Sequence, residues 1–156
     1  FSNENAKYFE ELTSSLCKVE DLYYSNNVDY VHGDVSKDLH MTVFYGLLGE
    51  KVDKNEIQSY INQVGSITLS IGGVSLRTEH KKLCQILWID VLDTDDKLFK
   101  FSEGFKKFPY EESEQLGFVP HLTLAYVKNN FVLKNSLQSV SYPRQLNIDK
   151  ISYHEI

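Results

Sequence analysis

Residues 40–48, HMTVFYGLL, return in altered form at residues 121–128 as HLTLAYVK. Each copy opens on histidine, an apolar residue and threonine and continues as an apolar run. The two histidines, at positions 40 and 121, stand 81 positions apart in a chain of 156. A segment that recurs after about half the chain is the mark of a duplicated unit. The copies read as strands, the first over residues 39–47, with the β-branched and aromatic content of such a segment. Side chains alternate faces along a strand, so His40 and Thr42 share one face while Met41, Val43 and Tyr45 take the other. By the same parity, His121 and Thr123 stand opposite Leu122, Leu124 and Tyr126. The polar residues then form one strand face held out of the core. If a pseudo-twofold axis relates the two halves, their polar faces line opposite walls of one cleft.

The text around these segments alternates helices and hairpin-like strands. Residues 3–17 place Tyr8, Phe9, Leu12 and Leu16 at helical spacing, with Ser2 or Asn3 as cap. Residues 18–37 are polar and read as a long connection. After the first repeat, VDKNEIQSYINQVG sets Val52, Ile57, Tyr60, Ile61 and Val64 on one helical face, and Gly65 stops it. SITLSIGGVSLRTE and LCQILWIDVLD read as strands, the first broken by a bulge or bend at Gly72 and Gly73. TDDKLFKFSEGFKKF reads as a helix capped by Thr94 or Asp95, with Leu98, Phe101 and Phe105 inward. Residues 109–118 read as a loop, 120–128 as a strand, 129–138 as a short helix and 145–156 as a terminal strand. This order predicts an α+β chain rather than a doubly wound parallel sheet.

Composition narrows the class. An apolar fraction of 42% is ample for a packed interior in one domain of two lobes, residues 1–156. A net charge of −6 argues against broad duplex DNA binding, which relies on many lysine and arginine contacts to phosphate, but it leaves room for a small anion in a locally basic cleft. Cys17 and Cys84 have no metal-like spacing and read as buried free thiols, which suits a reducing, cytoplasmic compartment. No apolar run is long enough to span a membrane, and none reads as a signal peptide. Because the chain opens on Phe1 rather than Met, it reads as an excerpt.

A cleft with two imidazoles and two hydroxyls suits phosphodiester cleavage without a metal. Imidazole titrates near neutrality, so one ring can take a proton from the attacking oxygen while the other gives one to the leaving oxygen. Threonine hydroxyls donate to phosphoryl oxygens. One HxT alone carries almost no information; two of them, each in an apolar strand half a chain apart, carry much more.

At these residues the sequence resembles the two-histidine (2H) phosphoesterase superfamily, whose hallmark is a pair of HxT or HxS motifs, one per lobe. The stretches HMTVFYGLL, ITLSIGGVSL and PHLTLAYVK look most like phage-encoded members, among them the anti-CBASS phosphodiesterases. The resemblance implies a pseudo-symmetric bilobal fold with two mainly antiparallel sheets lining a central cleft and helices outside. It implies that His40 and His121 are the catalytic acid–base pair, that Thr42 and Thr123 bind phosphate, and that no metal or other cofactor takes part. A ribose 2′-OH would attack the adjacent phosphate. The implied substrates are small cyclic nucleotides or short oligonucleotides, the implied role is evasion of cyclic-oligonucleotide immune signalling, and the implied location is the host cytoplasm. Other members act on RNA 2′,3′-cyclic phosphates or 2′-5′ oligoadenylates, and a catalytically silent nucleotide sponge would need the same cleft. One departure stands out: members usually begin with a strand, whereas here the first helix follows Phe1 almost at once.

Other residues compete for roles. Phe44 shares its parity with His40 and Thr42, Phe118 precedes the second motif, and Trp88 is the single tryptophan. Each is a candidate platform for a nucleobase, with core packing as the plainer reading of Trp88. Tyr110 is a weaker candidate of the same kind. Lys128 lies off the polar face by ideal parity and reaches phosphate only if the strand ends or twists. Arg77, Lys81 and Lys82 read as a solvated turn, and 111–115 as an exposed rim. His32, His80 and His154 have no partner at metal-binding spacing, which argues against a zinc site. No serine-hydrolase elbow or P-loop motif is present.

Overall fold

The computed structural model describes residues 3–23, 40–78, 84–112, 118–134, 145–148, 151 and 153. Among these are three α-helices and one four-stranded antiparallel sheet, an α+β arrangement. The elements in chain order are α1 (Asn3–Leu16), α2 (Lys54–Val64), β1 (Ile67–Thr78), β2 (Gln85–Leu92), α3 (Lys97–Gly104), β3 (His121–Val127) and β4 (Gln145–Ile148). Across the sheet the strands run β3-β2-β1-β4. No helix among the described residues is long and apolar enough to cross a membrane.

One face of the sheet is the main core. Leu69, Leu87, Ile89, Leu122, Leu124, Val127 and Leu146 are buried there together with Phe9 and Leu12 of α1. Each such side chain taken from water stabilises the fold by about 1.5–3 kcal/mol. The helical spacing of α1 is as its apolar residues predict, except that Tyr8 stands at the edge of the stripe and is exposed. Thr13, buried one turn after Phe9, satisfies its hydroxyl by donating to the Phe9 carbonyl at 2.7 Å. Of the two caps expected for α1, Asn3 is instead the first helical residue, and Ser2 lies outside the described residues.

A second, smaller core joins α2 and α3. Ile57 and Ile61 meet Phe101, Phe105 and Phe108, with Val43, Phe44, Leu47 and Tyr60 packed around them. The Tyr60 hydroxyl donates to the Phe101 carbonyl at 2.8 Å, which lets a half-buried phenol lie among these rings. Val64 and Ile151 touch both cores and so join them. Helix α2 starts at an Asp53 cap whose carboxylate accepts from the Asn55 amide at 2.8 Å, and it stops at Gly65, with φ of 68°. The start of α3 differs from the expected Thr94 or Asp95 cap. Asp96 occupies the cap position with no side-chain bond, and the Asp93 carboxylate accepts from the Leu98 and Phe99 amides instead. The turn folds Asp93 back over the helix end, where its charge meets two unpaired amides at the positive end of the dipole.

Two further expectations are corrected. Residues 40–46 are not a strand; the segment joins no sheet ladder, and only Leu47 makes an isolated bridge, to Tyr110. Its backbone is held by other means: Ser102 donates to the Val43 carbonyl, Glu111 N–H to the Gly46 carbonyl, and Leu48 N–H to the Pro109 carbonyl. Of the helix expected at 129–138, residues 129–134 are turn and coil and 135–138 lie outside the described residues; of the terminal segment the described strand is Gln145–Ile148 alone. The bulge expected at Gly72 and Gly73 is present, as a register shift between Ile71 and Val74.

Candidate functional site

The second face of the sheet carries the polar residues, and two irregularities decide which ones. Before Gly72, the odd-numbered Ile67, Leu69 and Ile71 enter the core; after Gly73, the even-numbered Val74 and Leu76 do. The bulge therefore turns Ser75 and Arg77 onto the outer face, where plain alternation would have buried them. A register shift opposite Leu87 and Trp88 does the same within β3. Leu124 and Ala125 are both buried, and Tyr126 joins the outer face with His121 and Thr123. That overturns the expected position of Tyr126 beside Leu122 and Leu124.

Directly paired residues share a face, so the register sets the outer rows. Ser75, Trp88 and Thr123 lie abreast across β1, β2 and β3; Asp90 pairs with His121 in the row before, and Arg77, Ile86 and Tyr126 form the row after. The imidazole of His121 lies over the indole of Trp88, ring centroids 4.2 Å apart and planes 30° apart. From the strand on the other side, the Arg77 guanidinium sits 4.7 Å from the same indole centroid. The indole N–H donates to Asp90 Oδ1 at 3.0 Å, and Ser75 Oγ donates to Asp90 Oδ2 at 2.6 Å. Both oxygens of this carboxylate are therefore engaged.

His121 Nδ1 lies 2.7 Å from the Val119 carbonyl oxygen. A carbonyl oxygen only accepts, so Nδ1 carries the proton in this contact, and Nε2 is the ring nitrogen left outside it. The extended Pro120 link holds this arrangement, its carbonyl accepting from the Val91 amide at 3.2 Å.

The first motif sits on the 40–48 segment, not on the sheet. His40 and Thr42 are exposed, while Met41 packs on the main core and Val43 on the smaller one. Alternation fails after Val43. Phe44 is turned inward against Phe105 and Tyr110, at 5.5 and 5.6 Å between centroids, and Tyr45 is exposed. Without a ladder to enforce the two-residue period, contact with Phe105, just past α3, and Tyr110 turns Phe44 inward. Phe44 and Tyr110 are thus engaged with each other in the smaller core, and Phe118 packs against the main core. Trp88 is only 8% exposed, with partners at its ring and its N–H, so it belongs to the floor of the site rather than to an open platform.

Sequence reasoning assigned Arg77 to a solvated turn; it stands within β1 over Trp88. Asp90 and Ser75 were missed. The signal lay in the alternations SLR at 75–77 and WID at 88–90, legible once the bulge is placed. Lys128 donates to the Glu20 carbonyl at the far end of β3, which ties it to the turn after α1. Lys81, Lys82, His32, His80, His154 and residues 113–117 lie outside the described residues. Among the described residues no group of three or more His, Cys, Asp or Glu could hold a metal ion. No protein-family model matches the chain, and a search of curated proteins finds no match.

Proposed function

We propose that this chain is a metal-independent phosphodiesterase of the two-histidine type, with two pseudo-equivalent lobes, acting on small cyclic nucleotides or short oligonucleotides. The observation that carries the reading is the recurrence of HxT at 40 and 121, joined to the presence of His121 and Thr123 side by side on the outer face of β3. His121 is supported by a fixed Nδ1 contact that leaves Nε2 as its working atom, and Arg77 adds positive charge to the same face.

In this reading a ribose 2′-hydroxyl attacks the adjacent phosphorus, and its proton passes to one imidazole. The P–O bond to the leaving ribose oxygen breaks as the other imidazole protonates that oxygen. The products are a 2′,3′-cyclic phosphate and a free hydroxyl. Thr42 and Thr123 donate to the non-bridging oxygens, whose charge grows in the transition state. Phage origin, antagonism of cyclic-oligonucleotide immunity and residence in the host cytoplasm follow as the biological setting of the same reading.

The test is product analysis on cyclic di- and trinucleotides, 2′-5′ oligoadenylate and 2′,3′-cyclic phosphates. His40→Ala and His121→Ala should each lower turnover at least about 10²-fold with circular dichroism unchanged. Thr42→Ala and Thr123→Ala should each remove a hydrogen bond to a charged oxygen, about 1.5–3 kcal/mol, or roughly 10- to 100-fold in kcat/KM. Undiminished cleavage by the double histidine variant refutes the assignment, and loss of activity in EDTA refutes the metal-free mechanism. Recovery of every ligand unchanged from the wild-type protein would make it a nucleotide sponge.

A further inference from the structure

The most organised group of side chains on the outer face is a chain of contacts that ends on His121. Ser75 donates to Asp90, Asp90 accepts the indole N–H of Trp88, and the indole face carries the His121 ring at 4.2 Å. Arg77 approaches the same indole from β1. Gly72 lets β1 pass close to Asp90 of β2: a Cβ there would lie 3.1 Å from the Asp90 carbonyl oxygen and 3.2 Å from its Cβ. A tryptophan so held has little freedom to rotate, and it is 8% exposed.

We propose that Trp88, oriented by Asp90, is a positioning residue that holds the His121 imidazole in the one ring orientation that keeps Nδ1 on the Val119 carbonyl and presents Nε2. The proposal rests on the reading of His121 as a proton-transfer group. An imidazole has two free side-chain torsions and two chemically similar nitrogens, so a single backbone contact does not by itself prevent the ring from turning over. A flat aromatic surface beneath it restricts the ring to stacked orientations, and the Val119 carbonyl then selects one of them. Such support matters because catalytic groups need placement to within a fraction of an ångström. Among the described residues, the charged groups beside the stack are Asp90, which pairs with His121 across β2 and β3 and accepts the indole N–H, and Arg77, which lies over the indole. Trp88 thereby has a task other than holding a nucleobase.

The experiment compares wild type, Trp88→Phe, Trp88→Leu and Asp90→Ala in the full chain. Long-range proton–nitrogen NMR of the His121 ring reads its tautomer, and the ring-current displacement of its carbon-bound protons reads the stack. Trp88→Leu should lose the displacement, mix the two tautomers and lower kcat about 10- to 100-fold, with KM changed by less than about threefold. Trp88→Phe keeps an aromatic surface and should retain most of the tautomer preference. Asp90→Ala should fall between them, and it decides the matter if Trp88→Leu fails to fold. A folded Trp88→Leu protein with the wild-type tautomer, or a folded Asp90→Ala protein with the wild-type tautomer and displacement, overturns the proposal. The NMR readout is independent of turnover. A wild type that cleaves none of the nucleotides would therefore sink the catalytic reading, while the tautomer would still decide whether Trp88 positions the ring.

Discussion

At the scale of single residues, burial sets Cys17 and His121 apart. Cys17 is buried, and desolvation, with the nearby Asp21 carboxylate adding to it, pushes its thiol up from an ordinary value near 9 to about 11. The thiol form is the one the fold accommodates, so its contribution to stability is complete below about pH 9 and is lost as pH rises toward about 11. Denaturant melts across that window should show stability falling with pH, and Cys17→Ser should flatten the fall. At neutral pH, native protein should resist alkylation at Cys17 until it is unfolded. His121 is the opposite case. It is half-buried, set against the Trp88 ring on one side and anchored at Nδ1, with Nε2 outside that contact. The identities of His40, Thr42, His121 and Thr123 as a repeated set were legible in the sequence. Asp90 was not, because an aspartate in an apolar strand shows its partner only when Trp88 and Ser75 are brought beside it.

At the scale of elements, the two copies of the motif are built differently. The second is a ladder strand, where pairing with β2 sets which face each side chain takes, its register shift included. The first is a segment outside any ladder, held by a serine of α3 and by the 109–111 backbone. Gly46 is the pivot of that arrangement. Its φ is 95°, and a Cβ would lie 2.6 Å from the Glu111 carbonyl oxygen, a backbone atom. Gly46→Ala should therefore cost about 1–3 kcal/mol. For a chain of this length that lowers Tm by about 2–4 °C per kcal/mol in a calorimetric scan. Because the same pivot fixes the 40–48 segment, turnover should fall more than the stability loss at assay temperature explains. An unchanged Tm would mean that the close approach to Glu111 is not maintained in solution. The strand expectation for 40–46 failed for a physical reason: an apolar run with β-forming residues also suits a segment lying across helices, and only a pairing partner makes it a strand.

At the scale of the whole molecule, the sheet separates a core packed under α1 from an outer face that carries the second motif, and the smaller aromatic core carries the first. If the two motifs serve one phosphate, a nucleotide ligand binds only the folded chain. At 100 times its dissociation constant it should then add about 2.7 kcal/mol to stability, visible as a rise in Tm, and Thr42→Ala and Thr123→Ala should each shrink the rise. A Tm indifferent to every cyclic nucleotide tested would favour an interaction domain over an enzyme or a sponge. The sequence by itself determined helices α1, α2 and α3, the strand stretches that become β1, β2 and β3, and the doubled HxT, because periodicity and residue chemistry act locally. Only the tertiary structure decided that the bulges at Gly72–Gly73 and in β3 turn Ser75, Arg77 and Tyr126 onto the face of His121, that Trp88 lies beneath its ring, and that Phe44 turns inward. Those outcomes depend on register and on which neighbour arrives from far along the chain, and one inserted residue reverses every side chain beyond it.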